Sequence, residues 1–475
     1  MGGYPMDDKI VPPGEPVPEE GWIYVRLEGD AKQRGEQHGK ALAKELRDAL
    51  DVGDFMAEWD TGEHLTNFAA IAKEAFGTYD AHGKFTGYTI DDEYLDEIKG
   101  IVKGATSGGN PSVTPKRKVP ITEEVLIAWN AYNELVGTWW PLDPPKEEPV
   151  GTRVRSSPGR CSAFATTGAA SDGGKIVMAH NTWDRYSVAE CYNIILDIVP
   201  PKGKGHRMLM QAAPGYITSG ADWVVTDAGL MICETTIGGF TGHFLKGKSP
   251  EFQRSRKAAQ YGDSIETWQQ LMLEGNNGGY ANTWLVGEAK SANKRIARID
   301  VGTAYHGSEE RTDGYFACCN VASNLKVRNQ ETSGPGAYSD IRGNGARRVR
   351  FGQLLGNSVR MTAEQAEKVI ADHHDVYCDN AIRPGSRSIC GHLDLDDGRA
   401  GNHGREPFYP YGANDGKVMD SDMAANMTFQ ARWGNSCGLP FDAKDFLATH
   451  PQYDWLADWL HDRPTRKWTT FPPKR

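Results

Sequence analysis

The stretch CSAFATTGAASDGGKIVMAHNTWD, residues 161–184, constrains this chain more than any other part of it. Two apolar, strand-like runs flank AASDGG, a turn sequence of small residues and glycine, so the segment reads as a β-hairpin. With the turn centred on Asp172, Gly168 faces Lys175 and Cys161 faces Thr182. Side chains alternate along a strand, so His180, Thr182 and Asp184 then share the face of Cys161. A slip of one residue would present Asn181 and Trp183 instead. A thiol, an imidazole and a carboxylate at one hairpin end are the parts of an activated nucleophile. The plain alternative is a buried cysteine behaving as a small hydrophobe beside a structural histidine.

The texture of the chain changes abruptly at Cys161. Residues 140–160, which include PLDPPKEEPVGTRVRSSPGR, carry prolines and charges in place of periodic apolar positions, which is linker composition. Upstream, AKQRGEQHGKALAKELRDAL (31–50) and TEEVLIAWNAYNELV (122–136) read as amphipathic helices, so residues 1–160 are expected to be mainly helical. Downstream, ADWVVTDAGLMICETTIG reads as a second hairpin turning near Asp227 and Gly229, NTWLVGE and RIARIDVG as strands, and 251–274 and 362–374 as helical stretches. Strand pairs with separate helical blocks predict an α+β fold or a layered sandwich over residues 161–475. Cutting between Arg160 and Cys161 would free an α-amine with a pKa of roughly 8 beside the thiol, so one residue would carry both nucleophile and base.

Composition narrows the partners. The 475 residues are 39% hydrophobic and 24% charged, with a net charge of -10 and no long single-sign block, which disfavours nucleic acid and anionic membrane surfaces. The start lacks a basic and apolar leader pattern, and no apolar run has membrane-spanning length, so a soluble chain is expected, its compartment and any homo-oligomer left open. Eight cysteines are too sparse for a disulfide scaffold. His373, His374, Cys378, Cys390 and His392 could be read as a zinc set, but their spacing fits no common ligand pattern, and DLDDG at 394–398 falls short of a calcium loop. Neither a metal nor a cofactor is expected.

CSAFATTG, AHNTWDRY, PGYITSGADWVVTDAGLMICETTIGG, GGYANTWLV, and SRSICGHLDLDDG with PFYPYGANDGKV follow one another in an order that resembles the phospholipase B-like proteins of the N-terminal nucleophile (Ntn) hydrolase superfamily. EGDAKQRGEQHGKALA resembles the opening helix of the penicillin acyltransferase prosegment. The resemblance implies a four-layer αββα sandwich preceded by a mainly helical N-terminal segment, autoproteolysis between Arg160 and Cys161, and hydrolysis of an acyl amide or ester, lipid-like or not. Residue by residue it implies Cys161 as nucleophile, His180 and Asp184 as its catalytic partners, Asn282 in the oxyanion hole, and Thr235 as a substrate contact; Trp183, beside them in HNTWD, is the other candidate substrate-binding residue. The family shows SHGG-D-K where this chain has GANDGK. The animal homologues are secretory or lysosomal, which implies a secreted or lysosome-like location, whereas the sequence by itself reads as cytoplasmic. Acyl transfer from the same acyl-enzyme, or a silent binding protein of the same fold, are the alternatives. A papain-like arrangement ranks last, because no cysteine opens a helix with a remote histidine.

Overall fold

The computed structural model describes residues 11–139, 161–220, 222–356, 360–398 and 406–474. The expected linker at 140–160, with Arg160, lies outside the described residues. The chain runs through β1 (Pro16–Glu19) and β2 (Trp22–Glu28) into helices α1 (Ala31–Ala41), α2 (Ala43–Thr61) and α3 (Leu65–Phe76). The ribbon β3 (Gly77–Tyr79) and β4 (Phe85–Tyr88) leads to α4 (Asp92–Thr106) and α5 (Glu123–Asn130). From Cys161 the strands are β5 (Cys161–Gly168), β6 (Gly174–Arg185), β7 (Ile194–Val199), β8 (Met208–Ala212), β9 (Trp223–Thr226) and β10 (Leu230–Thr236). Helices α6 (Glu251–Tyr261) and α7 (Ile265–Leu273) precede β11 (Asn282–Glu288), β12 (Ile296–Val301), β13 (His306–Arg311) and β14 (Gly314–Cys318). Helices α8 (Gly345–Leu355) and α9 (Ala363–Ile370) then lead through the two-residue ladder β15 (His374–Asp375) and β16 (Ala381–Ile382) to β17 (Tyr411–Ala413), β18 (Asp415–Asp420), β19 (Phe429–Trp433) and β20 (Thr469–Phe471).

Among the described residues the strands form two large sheets. One has the order β1-β2-β7-β8-β9-β10-β11-β12-β13, the other β14-β5-β6-β18-β19-β20 with β17 also on β6. Mixed helix and sheet is the α+β class that the sequence predicts. The alternation along the hairpin decides which way each sheet faces. Ala163, Ala165, Ile176 and Met178 enter the main core, whereas Phe164, Val177 and Ala179 enter a second cluster with Phe351 and Leu355 of α8 and Ala366, Val369 and Ile370 of α9. By the same period of two, Cys161 and His180 point away from α8 and α9, towards the nine-stranded sheet, whose β10, β11 and β12 lie against β5.

Several expectations are corrected. The segment expected to be mainly helical also contains the strands β1 and β2, which no sequence reading marked, and β2 pairs in parallel with β7 from Ile23 opposite Ile194 to Glu28 opposite Val199. The N-terminal segment is thereby stitched into the larger sheet. The helix expected over 31–50 is broken at Leu42 (φ −115°, ψ 27°). The cause is a glycine face: a Cβ at Gly35 would sit 2.1 Å from the Glu97 carbonyl oxygen, one at Gly39 2.0 Å from that of Ile101, and one at Gly104 2.3 Å from that of Glu36. Thus α1 and α4 touch backbone to backbone, and the chain turns at Leu42 so that α2 can bury Leu46 and Leu50. The helix at 251–274 is likewise two, divided at Gly262 and restarted by a Ser264–Thr267 capping box. The stretch at 362–374 stops at Ile370, and 122–136 is regular α-helix only to Asn130 before a short turn and a π-helical end.

Buried charge fastens these helices together. Glu97 of α4 pairs with Arg34 of α1 at 2.7 Å and with Arg256 of α6 at 3.0 Å, all three nearly fully buried. A second group is poor in cations. Glu134 accepts from the Glu251 backbone N–H at 3.0 Å, with Arg254 nearby. Burial pushes Glu134 up to about 7 and Glu251 up to about 8, Arg254 opposing in each case.

Two outcomes follow. Gly39→Ala forces a methyl into the Ile101 carbonyl and should destabilise the chain by about 1–3 kcal/mol, read as a lower thermal midpoint. The folded chain holds protons on Glu134 and Glu251 that the unfolded chain, with carboxyls near 4.5, has already released. Stability should therefore fall as pH rises from about 4.5 to 8, by at most about 1.4 kcal/mol per unit for each group. Glu251→Gln, which cannot ionise, should match the wild-type midpoint at about pH 5 and exceed it at about pH 8; equal midpoints at both values would remove Glu251 from this account.

Candidate active site at Cys161

Cys161 lies on strand β5, whose register is the expected one: Cys161 opposite Thr182, Ala163 opposite His180, Thr166 opposite Val177. The turn end differs. Gly168 pairs with Gly174, not Lys175, because a bulge lies between Thr166 and Gly168. Gly168 has φ +63°, and a Cβ there would meet Asp313 Oδ1 at 2.5 Å, so only glycine closes this end. The bulge absorbs one residue of mismatch and leaves the Cys161 end in register.

Cys161, His180 and Asp222 each bring a polar atom to within 4.8 Å of the others, and all are buried. His180 Nε2 lies 2.9 Å from the Glu234 carbonyl oxygen. A carbonyl only accepts, so Nε2 carries the proton and Nδ1 keeps its lone pair. Nδ1 is buried without a hydrogen-bond partner among the described residues. Burial, reinforced by the Lys417 ammonium, holds the imidazole well below its ordinary range, and it is neutral. Burial likewise pushes the Cys161 thiol well up, with Asp222 adding to the effect and Lys417 and the Trp183 backbone N–H opposing it. The resting pair is a protonated thiol beside a neutral base.

Three polar groups absent from the sequence expectations fix this pair. Arg347 of α8, fully buried, donates to the Cys161 carbonyl at 2.5 Å, to Ser162 Oγ at 3.0 Å, to the Cys319 carbonyl at 3.2 Å, and to Asn320 Oδ1 and Asn344 Oδ1 at 2.8 and 2.7 Å. Asn320 Oδ1 also accepts the Cys161 backbone N–H at 3.2 Å, and its Nδ2 donates to the Thr236 carbonyl at 2.9 Å. Lys417, opposite His180 on β18, reaches Thr182 Oγ1 at 2.8 Å, Gln211 Oε1 at 2.6 Å and Asp415 Oδ1 at 3.1 Å. Asp415 and Lys417 are the D-x-K part of GANDGK, which the quoted motif contains. Nothing in GARRVRFGQLL distinguishes Arg347 from its neighbouring arginines; only the fold buries it.

The carboxylate that joins the thiol and the imidazole is Asp222, on a left-handed backbone (φ 61°) just before β9. Its partner is Glu234, whose carboxyl is held well up by burial and by Asp222, with Cys161 adding to the rise. Asp184 lies two residues beyond Thr182, opposite Gly412, and accepts from the Arg185 N–H at 2.8 Å. It shares the face of Cys161 but is outside the group formed with His180. Asn282 lies opposite Thr236, so it shares a face with Thr236 and Glu234. Both atoms of its amide are buried without a hydrogen-bond partner among the described residues. Thr235 Oγ1 accepts from the Asn320 N–H at 3.4 Å. Trp183 is sealed, its ring 4.2 Å from the Arg347 guanidinium and its Nε1 donating to Asn181 Oδ1 at 3.0 Å. Cys161, His180 and Asp222 also have the donor types and spacing to hold a metal ion. A cleft of about 480 Å³ elsewhere, lined by Lys44, Asp48 and Cys191, contains none of the three.

Comparison with known proteins places this geometry in context. The family model described as Phospholipase B matches residues 92–305, a span that includes Cys161, His180, Asp222, Glu234 and Asn282 but not Asn320, Arg347 or Lys417. Phospholipase B-like 1 of Homo sapiens is 26% identical over 270 residues, 53% of this chain and 46% of its own length. Phospholipase B of Crotalus adamanteus is 26% identical over 283 residues, 54% of this chain and 48% of its own. Putative phospholipase B-like 2 of Mus musculus is 28% identical over 161 residues, 30% of this chain and 27% of its own. The chain thus spans about half the length of the first two of these relatives. By family model and by relatives alike, it is similar to the phospholipase B-like proteins.

Proposed function

We propose that this chain is an autoprocessed N-terminal-cysteine hydrolase of the Ntn class, built as a four-layer αββα sandwich, that cleaves an acyl amide or ester bond through an acyl-enzyme on Cys161. The observation that carries the reading is the placing of a protonated thiol on an inner strand, beside a neutral imidazole with an unengaged lone pair. Names of the relatives favour a lipid-like substrate.

Processing would run as follows. The Cys161 thiol loses its proton to His180 Nδ1 as Sγ adds to the Arg160 carbonyl carbon. The C–N bond to Cys161 breaks, the nitrogen taking that proton and becoming an amine. Water then hydrolyses the thioester, leaving a carboxylate on Arg160 and restoring the thiol. Asn320 Oδ1, which already accepts the Cys161 N–H, would hold the new amine, and that amine would be the base for the substrate reaction. Arg347, bound to the Cys161 carbonyl, keeps the strand end from moving when the chain is cut. Asp184 and the Asp222–Glu234 pair would set the charge around the amine, and Asn282 would offer its buried N–H to the developing oxyanion. Thr235 and Trp183 would be the substrate contacts. Deacylation by water gives hydrolysis; deacylation by an amine gives acyl transfer.

The division into 1–160 and 161–475 would then be one of chains rather than of bodies, since β2 pairs along β7. Intact-mass measurement of purified protein should show a chain split after Arg160, the two parts still eluting together under native conditions, and Cys161→Ala should stay whole. An uncut wild type whose Cys161 also resists prolonged iodoacetamide would sink the mechanism and leave the silent binding protein. Asn282→Ala should still be cut but should acylate more slowly by roughly two to three orders of magnitude, measured with a panel of N-acyl amides and phospholipids scored for released acid; unchanged turnover would remove it from the site.

A further inference from the structure

On the side of the hairpin away from the Cys161–His180 face lies a second convergence of soft donors: His373, Cys390, His392 and Cys437. Their ligand atoms all lie within 4.8 Å of one another. His373 follows α9, Cys390 and His392 sit on the stretch before β17, and Cys437 lies in the turn after β19. Backbone bonds bring them together. The Cys390 N–H reaches the Asp372 carbonyl at 3.1 Å, the His392 N–H that of Gly385 at 3.0 Å, and the Ala413 N–H that of Gly391 at 2.9 Å. Three members of the set weighed from the sequence are present; His374, held by Asp372 and Arg350, and Cys378, beside Arg383 and Arg387, are not. Cys437 comes from another strand end, so no linear motif could pair it with the others.

The distances match coordination. Both Cys390 Sγ and Cys437 Sγ lie 3.4 Å from the same nitrogen, His392 Nε2. One N–H can be directed at only one acceptor, whereas in a tetrahedral centre with bonds of about 2.3 Å to sulfur and 2.0 Å to nitrogen, neighbouring donors lie about 3.5 Å apart. His373 supplies the fourth corner, its ring 5.1 Å from that of His392 at 75°, and its Nε2 is buried without a hydrogen-bond partner among the described residues. The outer parts fit as well. His392 Nδ1 faces Asp394 Oδ1 at 3.6 Å, a carboxylate behind a ligating imidazole, and the Leu439 N–H donates to Cys437 Sγ at 3.4 Å.

We propose that His373, Cys390, His392 and Cys437 form a Cys2His2 metal centre that takes zinc or a cation of the same class. Four protein donors close the coordination shell, so the centre is structural rather than catalytic. On binding, the two thiols release two protons and the complex is neutral, which suits burial. Its position gives it a second effect. Asn181 Nδ2 donates to the carbonyls of Ile370 and Ile389 and to Ser436 Oγ, and Ser162 Oγ donates to the Ile389 carbonyl. Ile389 and Ser436 each adjoin a ligand, and Ser162 and Asn181 each adjoin a member of the Cys161–His180 pair. The metal therefore positions the layer on which that pair rests.

The test is elemental analysis of the full chain purified from zinc-supplemented cells under reducing conditions. About one equivalent of zinc is expected. Cys161→Ala should keep the metal, which separates this centre from the Cys161–His180–Asp222 group. Cys437→Ser and His373→Ala change the two less buried ligands and should lower the metal content severalfold, with circular dichroism used to confirm that each is folded. Chelator treatment should lower the wild-type thermal midpoint and added zinc restore it, and cobalt added to the stripped chain should give the thiolate charge-transfer and visible bands of a tetrahedral site. A folded, fully reduced wild type that takes up neither zinc nor cobalt would overturn the proposal. So would a Cys390–Cys437 disulfide found by mass spectrometry in folded protein, or metal lost in Cys161→Ala but kept in Cys437→Ser.

Discussion

A guanidinium with no carboxylate against it among the described residues holds the candidate site in place. Arg347 is fully buried, and burial pulls it below its ordinary range. Acceptors for its two terminal amino groups offset the cost of burying such a charge, and they come from β5, from the end of β14 and from the start of α8, while Nε is buried without a hydrogen-bond partner among the described residues. Removing any one of those acceptors strands part of a buried cation. The three elements are therefore committed to one mutual arrangement, and the Cys161 carbonyl is one of its terms. Trp183 closes the other side of the guanidinium, so the same cation couples the strand that carries the thiol to the strand that carries His180.

What could be read from the residues alone was whatever depends on short-range periodicity. The hairpin at Cys161, its register with Thr182, the second hairpin at Gly229, and NTWLVGE as a strand all follow from alternation bounded by turn residues, and the structure has them. Features that depend on long-range packing were invisible. β2 is a strand because β7 lies beside it, and α1 ends at Leu42 because its glycine face must meet α4. The site divides in the same way. His180 was legible, being on the same hairpin as Cys161. Asp222, Asn320 and Arg347 reach Cys161 from remote parts of the chain, and no spacing rule connects them. Asp184, which alternation puts on the correct face, is locally engaged with Arg185, while Asp222 joins the group with Cys161 and His180.

The hairpin's two faces carry different chemistry. Towards the nine-stranded sheet are Cys161 and His180, with Lys417 supporting them; on the other side Ser162 and Asn181 meet the loop that holds Cys390 and the turn that holds Cys437. Period-two alternation means that consecutive residues of one strand serve opposite sides, so a shift of the outer layer is transmitted to the inner one across a single peptide unit. Rigidity on the outer side and reactivity on the inner side are thus properties of the same two strands.

The bulge at the far end of the hairpin bears on how this arrangement tolerates change. The turn after Gly168 is tied to another part of the chain, with Ser171 bridging to Met361 and the Asp172 N–H bonded to the Met361 carbonyl. The ladder and this anchor disagree by one residue, and Thr167, which has no partner on β6 but pairs with Gly314 of β14, takes up the difference. Turn and nucleophile are therefore mechanically decoupled: the outer loop can lengthen, shorten or be pulled by its neighbours while the phase of side chains at Cys161 stays as it is.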